Sequence, residues 1–475
     1  MKRGRSKRGP RETNTPPEEL DLTDRIRCGR TLALYAIQQH DHTGRFLSEV
    51  LRQSDDLHGL ATRERAFAVD LSAGVIRRRR TIDTLLESQI SRPRANVEAD
   101  LWRVLQLGVQ QVAFSGTPDH AAVGATVELC RQVGRPRWAG FVNGVLRNIR
   151  RLISEDLTDS AAADALPVQD GRFVRLQQPV LPDPQNEPVE YHGQAFSLSR
   201  ALSRRWFERL PIERLQQMSF FLLQPPAIHL RVNRRVTTTA AVLDAFTQAG
   251  IAAEAGERDF SIRLTDGVRI ESLPGYADGW WSVQDPAAME AASLLNPKVG
   301  ERVLDLCAAP GGKTTHLAEL SDDQAAIVAC DVLAGRLRRV DENAERLQLR
   351  QIETMLIGKQ GEDLPDGEFD AVLADVPCSN TGVLGRRPEA RWRFQEHELS
   401  DLVQLQTRLL ATAIERTRPG GRIVYSTCSI EPEENEGVVQ AVLAGRPDLQ
   451  LIRQVQLLPG DIGDGAYCAL LGRNS

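Results

Sequence analysis

Residues 303–320 carry the feature that most constrains the fold: a short apolar run breaks at Pro-Gly-Gly before a helical pattern begins. The run Val303 to Leu306 is typical of a buried parallel strand, and a helix is predicted from about Thr314. Glycines let backbone N–H groups approach a ligand, and the helix N-terminus favours a carboxylate or phosphate. Neither common phosphate-binding glycine motif fits, so a nucleoside carrying an amino-acid carboxylate is favoured; a purely structural turn remains the alternative.

Strand and helix patterns alternate from Ser282 to Ser475, which predicts a doubly wound, Rossmann-like α/β domain with ligands at the carboxyl ends of its parallel strands. The predicted strands are 303–307, 326–331, 352–357, 369–375 and 421–426, followed by an apolar segment at 467–471. The predicted helices are 286–295, 314–320, 333–347, 399–417 and 433–444.

The first part of the chain has a different character. Residues 1–21 are predicted to be a disordered basic arm, with six Lys/Arg among the first eleven residues; it suits phosphate contact or is a solvated tail. Residues 22–153 show only helical periodicity, which predicts an all-α bundle. Residues 154–190 are rich in proline and acids and are predicted to be an exposed linker or insertion. The predicted helices of the bundle are 30–38, 63–78, 99–115, 121–133 and 140–152.

Residues 191–281 are predicted to form a small α+β module, with helices at 198–210 and 243–249 and strands from 228, at 260–264 and at 268–270. From Ile228 to Asn233, apolar residues alternate with polar or basic ones, as in a half-buried strand. A basic sheet face of this kind is a candidate RNA platform. Salt bridges of Arg231 and Arg234 are the structural alternative.

Composition narrows the functional classes. The chain of 475 residues has room for two to four domains and lacks the long apolar run of a membrane span. Its basic N-terminus has no apolar secretion signal, and its seven scattered cysteines include no C-x-x-C pair. We therefore expect a cytoplasmic protein without a membrane partner or a metal site. The net charge of −5 does not by itself indicate nucleic-acid binding.

The distinctive polar residues follow the predicted strands. Asp331 ends the second strand, where an acid accepts ribose hydroxyls or caps the next helix. Cys378 and Cys428 follow two later strands in polar loops, and Lys313 and Arg391 are candidate cations for a thiolate. The two thiols suit either a redox couple or, more economically, covalent catalysis. One electrophile that needs a thiol is C6 of a pyrimidine, because addition there makes C5 able to attack a methyl donor.

Three long motifs carry a family resemblance: Asp305-Leu-Cys-Ala-Ala-Pro-Gly-Gly-Lys313, Asp375-Val-Pro-Cys-Ser379 and Ser426-Thr-Cys-Ser-Ile-Glu-Pro-Glu-Glu-Asn-Glu436. They resemble motifs of the S-adenosylmethionine-dependent RNA cytosine-5 methyltransferases of the NOL/NOP/Sun group, closest to its bacterial small-subunit ribosomal RNA branch. Three further segments, Arg30-Thr-Leu-Ala-Leu, His120-Ala-Ala-Val and Gly140 to Arg147, resemble the NusB-like RNA-binding helical domain. The resemblance covers about residues 22–150 and 191–475.

The resemblance implies a role for each matching residue. Cys428 would be the nucleophile on C6 and Cys378 would assist product release. Asp375 would contact the cytosine edge near the methionine part of S-adenosylmethionine, with help from Lys313. Asp331 would bind the cofactor's ribose. The implied partner is RNA, namely 16S rRNA or an immature small subunit, bound by a monomer. The residues implied to wrap the cofactor are Cys307, Ala308, Ala309, Pro310, Gly311, Gly312 and Lys313.

The chain departs from the family pattern at one position, and its residues are also compatible with two other functions. The family usually has Gly-Asp after the third strand, its Asp near adenine, whereas this chain has Gly358-Lys359. Either Asp363 replaces that Asp, or backbone and apolar contacts hold the adenine. The alternative functions are a non-catalytic RNA-binding ribosome-assembly factor with a vestigial methyltransferase fold, and a thiol-disulfide enzyme with a nucleotide cofactor. A tRNA substrate is not excluded by any residue.

Overall fold

The computed structural model describes residues 19–168, 171–265, 269–358 and 363–474. They form two compact units. Of the described residues, the first unit contains those up to Thr158 with 162–166 and 174–181, and the second contains those from Pro182 onward with the described part of 159–161 and 167–173. No helix within the described ranges is both long and apolar enough to cross a membrane.

Within the first unit, the chain from Gly29 to Leu152 forms a helical bundle, so the predicted all-α domain is confirmed. Its central helix α5 is buried from Asp100 to Val112 on nearly every side, because apolar residues recur all around it. The prediction missed α2 and α4, which are short and follow the preceding helix after only a brief turn. The helices are α1 (Gly29–Thr43), α2 (Leu47–His58), α3 (Thr62–Arg77), α4 (Arg79–Gln89), α5 (Ala99–Phe114), α6 (Asp119–Gln132) and α7 (Ala139–Leu152).

The predicted basic arm, residues 1–21, lies outside the described residues as far as position 18. Its last part is not disordered as predicted. Leu20 is buried, and its backbone N–H donates to Asp100 Oδ2 at 2.7 Å. Gln38 Nε2 donates to Leu20 O at 2.9 Å. A single apolar side chain and two hydrogen bonds thus anchor a stretch whose composition is otherwise polar.

The predicted linker, 154–190, contains secondary structure that its proline-rich composition does not predict. Three short strands, β1 (Ile153–Thr158), β2 (Ala165–Pro167) and β3 (Phe173–Leu176), form a sheet in the order β1-β3-β2. Ala165, Leu166 and Phe173 are fully buried. The strands are too short to show a clear alternation in sequence. The domain boundaries themselves stay predictions.

The small α+β module is built around an antiparallel sheet in the order β5-β6-β4-β7. The strand predicted at 268–270 is wrong for its described part, residues 269–270, because Ile270 begins a 3-10 turn (Ile270–Ser272). Position 268 lies outside the described residues. Short elements such as β5 and β7 were not predicted because three residues carry too little pattern. The elements are α8 (Pro188–Ala195), α9 (Arg200–Arg209), α10 (Ile212–Leu223), β4 (Ile228–Val232), α11 (Thr239–Gln248), β5 (Ala253–Ala255), β6 (Ser261–Leu264) and β7 (Trp281–Val283).

The basic face predicted for β4 is not exposed, which corrects the proposed RNA platform. Arg231 is 2% exposed, and its guanidinium makes two hydrogen bonds to the buried Glu319, at 2.7 and 2.9 Å. It also donates to Gly312 O at 2.8 Å and to Thr315 Oγ1 at 3.1 Å. The alternation in the sequence is real, but both faces of β4 are covered. Arg231 therefore serves as a structural support for the glycine turn.

We expect Arg231→Met to destabilise this region, because it leaves the buried Glu319 carboxylate without its cation; breaking a buried pair costs about 3–5 kcal/mol. Hydrogen exchange of the peptides that cover β4 and residues 312–320 measures the loss of protection. The matched control is Arg263→Met on β6, whose ion pair with Glu254 is exposed and worth at most about 1 kcal/mol. Equal exchange in the two variants would contradict the structural role of Arg231.

The C-terminal domain contains a seven-stranded sheet in the order β10-β9-β8-β11-β12-β14-β13. The first five strands in that order are parallel, as predicted, and β14 pairs antiparallel with both β12 and β13. The edge strand β13 was not predicted because much of it is exposed and polar. The strands are β8 (Arg302–Asp305), β9 (Ala326–Asp331), β10 (Ile352–Leu356), β11 (Phe369–Asp375), β12 (Thr417–Thr427), β13 (Leu449–Leu457) and β14 (Ala466–Arg473).

Helices connect the parallel strands and complete the alternating α/β fold, which is confirmed. Two apolar clusters pack the sheet, one around Leu304, Val372 and Ile423 and the other around Val303, Leu373 and Val424. Because neighbouring residues on one strand belong to different clusters, both faces of the sheet are covered. The helices are α12 (Pro286–Leu295), α13 (Gly312–Leu320), α14 (Ala334–Arg346), α15 (Ala390–Arg393), α16 (Glu396–Arg416) and α17 (Glu436–Leu443).

Candidate active site

The strand register brings the polar strand ends to one edge of the sheet. Asp305 pairs in register with Leu373 on β11 and with Ala329 on β9. Asp375 at the end of β11 lies beside Ser426 on β12. The loops that follow these strands therefore meet above the same edge, as the alternating pattern predicts.

The glycine turn between β8 and α13 depends on Gly311. Its φ is +99°, and a Cβ there would come within 3.1 Å of Val340 Cα on α14. The turn is tied back to β8 because Thr314 Oγ1 donates to Asp305 Oδ2 at 2.7 Å. Burial, opposed by that hydrogen bond, raises the pKa of Asp305 to about 7, with a further contribution from the Asp375 charge. The turn thus combines a required glycine with a buried carboxyl group.

Asp331 ends β9 and is 4% exposed. Its Oδ1 accepts the backbone N–H of Leu333 at 3.0 Å, at the start of α14. Asp331 therefore also caps this helix, which was the structural alternative to ribose binding. Its Oδ2 accepts the N–H of Ala309 at 3.3 Å. Arg336 Nη1 lies 3.5 Å from the same oxygen. A carboxylate has about four acceptor positions, so acceptor capacity remains for a ribose hydroxyl.

Lys313 and Asp375 form an ion pair at the centre of this edge, with Lys313 Nζ donating to Asp375 Oδ2 at 2.7 Å. Lys313 lies in the first turn of α13, and Asp375 is the last residue of β11. Burial lowers the pKa of Lys313, but the charge and hydrogen bond of Asp375 outweigh it and raise that pKa overall. The lysine therefore stays charged and fixes the orientation of the carboxylate.

The two thiols predicted to act together lie in contact: Cys378 Sγ and Cys428 Sγ are 3.2 Å apart and not bonded covalently. The hydrogen bond from Cys378 lowers the pKa of Cys428, and the Arg387 and Lys313 cations add to this effect against burial and the Asp375 charge. The pKa of Cys378 is raised by its contact with Cys428, by burial and by the Glu434 charge. The pair thus favours a thiolate on Cys428 and a proton on Cys378.

One predicted cation is wrong. Arg391 is fully buried, and its guanidinium donates to the carbonyl oxygens of Ser197, Leu222 and Leu384. Arg387 takes the expected place, since its Nη1 donates to Asn380 Oδ1 at 2.8 Å and that oxygen lies 3.4 Å from Cys428 Sγ. Both arginines follow the same strand, so sequence position alone does not distinguish them.

Sequence reasoning also missed the role of Glu434, which appeared only as part of a motif. Glu434 is fully buried and accepts the backbone N–H of Ser379 at 2.8 Å and the Ser429 hydroxyl at 2.5 Å. It thereby joins the loops that carry the two cysteines. The available signal was the Cys-Ser pair repeated at both strand ends, which suggests a shared partner for the two serines.

Comparison with known proteins gives three matching family models. Residues 27–151 match the NusB family, residues 200–271 match the RsmF/B-like ferredoxin-like domain, and residues 292–465 match 16S rRNA methyltransferase RsmB/F. Ribosomal RNA small subunit methyltransferase B of Salmonella paratyphi A is 32% identical over 453 residues, which cover 93% of this chain and 98% of that protein. The chain belongs to the RsmB/F family of methyltransferases. The family resemblance predicted from the three motifs is thereby confirmed.

Two solved structures share the fold. The crystal structure of PH0851 is 23% identical and covers 96% of this chain and all of its own, with a TM-score of 0.73. A methyltransferase homologue from Pyrococcus horikoshii is 27% identical and covers 60% of this chain and 99% of its own, with a TM-score of 0.54. The RsmB/F methyltransferase thus has its predicted three-part architecture of helical bundle, ferredoxin-like module and Rossmann-like domain.

The glycine turn of this RsmB/F methyltransferase has the features that S-adenosylmethionine requires. A Cβ at Gly312 would meet only Gln284 Nε2, at 4.0 Å, so the helix start is open to a ligand. Backbone N–H groups there suit the cofactor's carboxylate, and Asp331 retains acceptor positions for its ribose. Ala308 and Ala309 are buried in the turn, Cys307 is half-buried and Pro310 is exposed. Lys359 lies outside the described residues, and Asp363 is exposed.

Proposed function

We propose that this methyltransferase transfers a methyl group from S-adenosylmethionine to C5 of a cytosine in RNA, most directly 16S rRNA, through a covalent bond between Cys428 and C6. The observation that carries the proposal is the thiol pair at 3.2 Å beside the Lys313–Asp375 ion pair, at one sheet edge. A pyrimidine C5 must be activated by a nucleophile on C6, whereas a nitrogen or a ribose oxygen is itself nucleophilic and needs no thiol for methyl transfer.

The cytosine-directed chemistry is assigned to the side chains around the thiol pair. Cys428 Sγ, as the thiolate, adds to C6 and makes C5 a carbon nucleophile. Asp375, held by Lys313, hydrogen-bonds the polar edge of the cytosine and stabilises the ring during addition. Bound S-adenosylmethionine supplies the methyl group that C5 accepts. A general base then removes the C5 proton, the electrons of the C5–H bond re-form the C5–C6 double bond, and Cys428 leaves as the thiolate; Cys378 assists this release.

The cofactor-binding residues proposed are those of the glycine turn, Cys307 to Lys313, together with Asp331 and Asp375. The N–H groups at the start of α13 bind the carboxylate, and Asp331 binds the ribose hydroxyls. The adenine contact is not assigned to Asp363. This chain has Gly358-Lys359 where the family usually has Gly-Asp. Because Asp363 is exposed, backbone and apolar contacts are favoured over Asp363 for holding the adenine.

We expect Asp331→Ala to raise the Kd for S-adenosylhomocysteine about 10- to 100-fold, since hydrogen bonds to a charged group contribute about 1.5–3 kcal/mol. Titration calorimetry measures the change. Glu353→Gln is the matched control, because Glu353 is an exposed acid on the neighbouring strand β10. An unchanged Kd in Asp331→Ala would show that Asp331 caps α14 and does not bind the cofactor.

The function is tested by incubating the full chain with small-subunit rRNA, tRNA and methyl-labelled S-adenosylmethionine, followed by nucleoside analysis. We expect label in 5-methylcytidine from the small-subunit rRNA. Label in another nucleoside would contradict the cytosine-C5 assignment. Label in tRNA alone would show that the substrate is tRNA and not rRNA. Tight rRNA binding without any transfer would favour the assembly-factor alternative.

A further inference from the structure

The two reactive cysteines are each followed by a serine, and both serines point to one carboxylate. Ser379 follows Cys378 and Ser429 follows Cys428, and their hydroxyl groups are 3.1 Å apart. Both hydroxyls donate to the same oxygen of Glu434, Oε2. Two loops that are 50 residues apart in sequence thus share a single acceptor next to the thiols.

The other oxygen of Glu434 fixes the Cys378 loop from its backbone. Oε1 accepts the N–H of Ser379 at 2.8 Å and Gln406 Nε2 at 2.9 Å. The same Gln406 nitrogen donates to Pro377 O at 2.9 Å, on the other side of Cys378. Glu434 is fully buried, so its charge is stabilised by these donors and not by water.

We propose that Glu434 is the positioning residue of the thiol pair: it holds the loops of Cys378 and Cys428 in contact and keeps the shared proton on Cys378. The proposal rests on the proposed function only for the different roles of the two thiols. Glu434 touches neither sulfur directly, so it acts through Ser379 and Ser429. Its side chain combines a hydrogen-bonding role with an electrostatic one.

The hydrogen bond between the two thiols is the first cause of the difference between their pKa values, and the charge of Glu434 adds to that difference. A buried negative charge disfavours a thiolate nearby, and Glu434 contributes in this way to the raised pKa of Cys378. The pKa of Cys428 is lowered by its hydrogen bond with Cys378 and by the Arg387 and Lys313 cations, which together outweigh burial and the Asp375 charge. The Cys378 S–H then donates to the Cys428 thiolate. Cys428 is ready to attack, and Cys378 holds the proton.

The test is the pH dependence of iodoacetamide alkylation, read separately for Cys378 and Cys428 by peptide mass spectrometry of the full chain. In the wild type, Cys428 should react at a lower pH than Cys378, because its pKa is lowered and that of Cys378 is raised. In Glu434→Gln the difference between the two pH midpoints should shrink by about one pH unit or more, since the negative charge is lost. Glu434→Asp keeps the charge and should retain more of the difference than Glu434→Gln.

The two variants separate a charge effect from packing. Glutamine preserves the size of the side chain, and the two serine hydroxyls can rotate to accept from its Nε2. A purely structural role therefore predicts that Glu434→Gln behaves like the wild type and Glu434→Asp does not. That order of effects, or equal midpoints in wild type and Glu434→Gln, would overturn the proposal. If Glu434→Gln does not fold, Ser379→Ala and Ser429→Ala test the same contact singly. Each should reduce the difference between the midpoints, and no change in either would overturn the proposal.

The alkylation experiment uses neither RNA nor S-adenosylmethionine. Its outcome for Glu434 is therefore independent of the proposed methyl transfer to cytosine. If the wild type modifies no RNA but shows the Glu434-dependent difference, the proposed function fails and the positioning role stands. If methyl transfer is found but Glu434→Gln changes nothing, only the positioning role fails.

Discussion

Cys378→Ala is expected to form a covalent complex with RNA that survives denaturing electrophoresis. Cys428 can still add to C6 in this variant, but the thiol that assists release is absent, so the adduct accumulates. The 3.2 Å separation of the two sulfurs places Cys378 close enough to the Cys428–C6 bond for this role. The measurement is a slowly migrating protein band after incubation with S-adenosylmethionine and small-subunit rRNA.

Cys428→Ala and the double variant are the matched controls, and neither should give the slow band. Methyl transfer in Cys428→Ala should fall by at least about 10⁴-fold, as expected when the nucleophile of a covalent mechanism is removed. Cys468→Ala controls for the loss of a buried thiol outside the pair. A slow band in Cys428→Ala, with none in Cys378→Ala, would reverse the roles of the two cysteines.

Lys313→Met is expected to lower the rate of methyl transfer about 100- to 1,000-fold, the range found when a preorganised electrostatic contact is removed from an active site. Lys313 Nζ holds Asp375 Oδ2 at 2.7 Å, so its loss leaves the carboxylate free to rotate and without a counter-charge. The rate is measured at saturating RNA and cofactor, which separates the chemical step from binding.

The matched control is Lys298→Met, which removes an exposed lysine from the loop before β8. Its rate should stay within about twofold of the wild type, as is usual for surface substitutions away from a site. A loss of less than tenfold in Lys313→Met would show that Asp375 does not depend on its ion pair. Normal thermal stability of both variants excludes unfolding as the cause.

Periodicity predicts this fold well where strands are buried on both faces. The bounds of β9 and β11 agree with the prediction, because their apolar runs end sharply at Asp331 and Asp375. The edge strand β13 lacks such a run and was missed. The alternation in β4 correctly predicts a strand but not the burial of its basic side chain. Arg231 is paired with Glu319, which lies 88 residues away in sequence and cannot be identified as its partner from a local pattern.

The site was predictable to the extent that its residues end strands or belong to motifs. The end of a strand predicts where Cys378, Cys428 and Asp375 lie, and the structure brings them together. The partners that set their chemistry come from tertiary packing between loops. Glu434 and Arg387 could not be assigned from sequence for this reason, and Arg391 was chosen wrongly although it is only four residues from Arg387.

The most direct test of the central claim is tritium release from small-subunit rRNA that carries ³H at C5 of its cytosines. Methylation at C5 must expel that hydrogen, so the account predicts one tritium released for each methyl group transferred from S-adenosylmethionine. It also predicts no release from Cys428→Ala. Methyl transfer without tritium release would contradict the account, because the methyl group would then be on another atom.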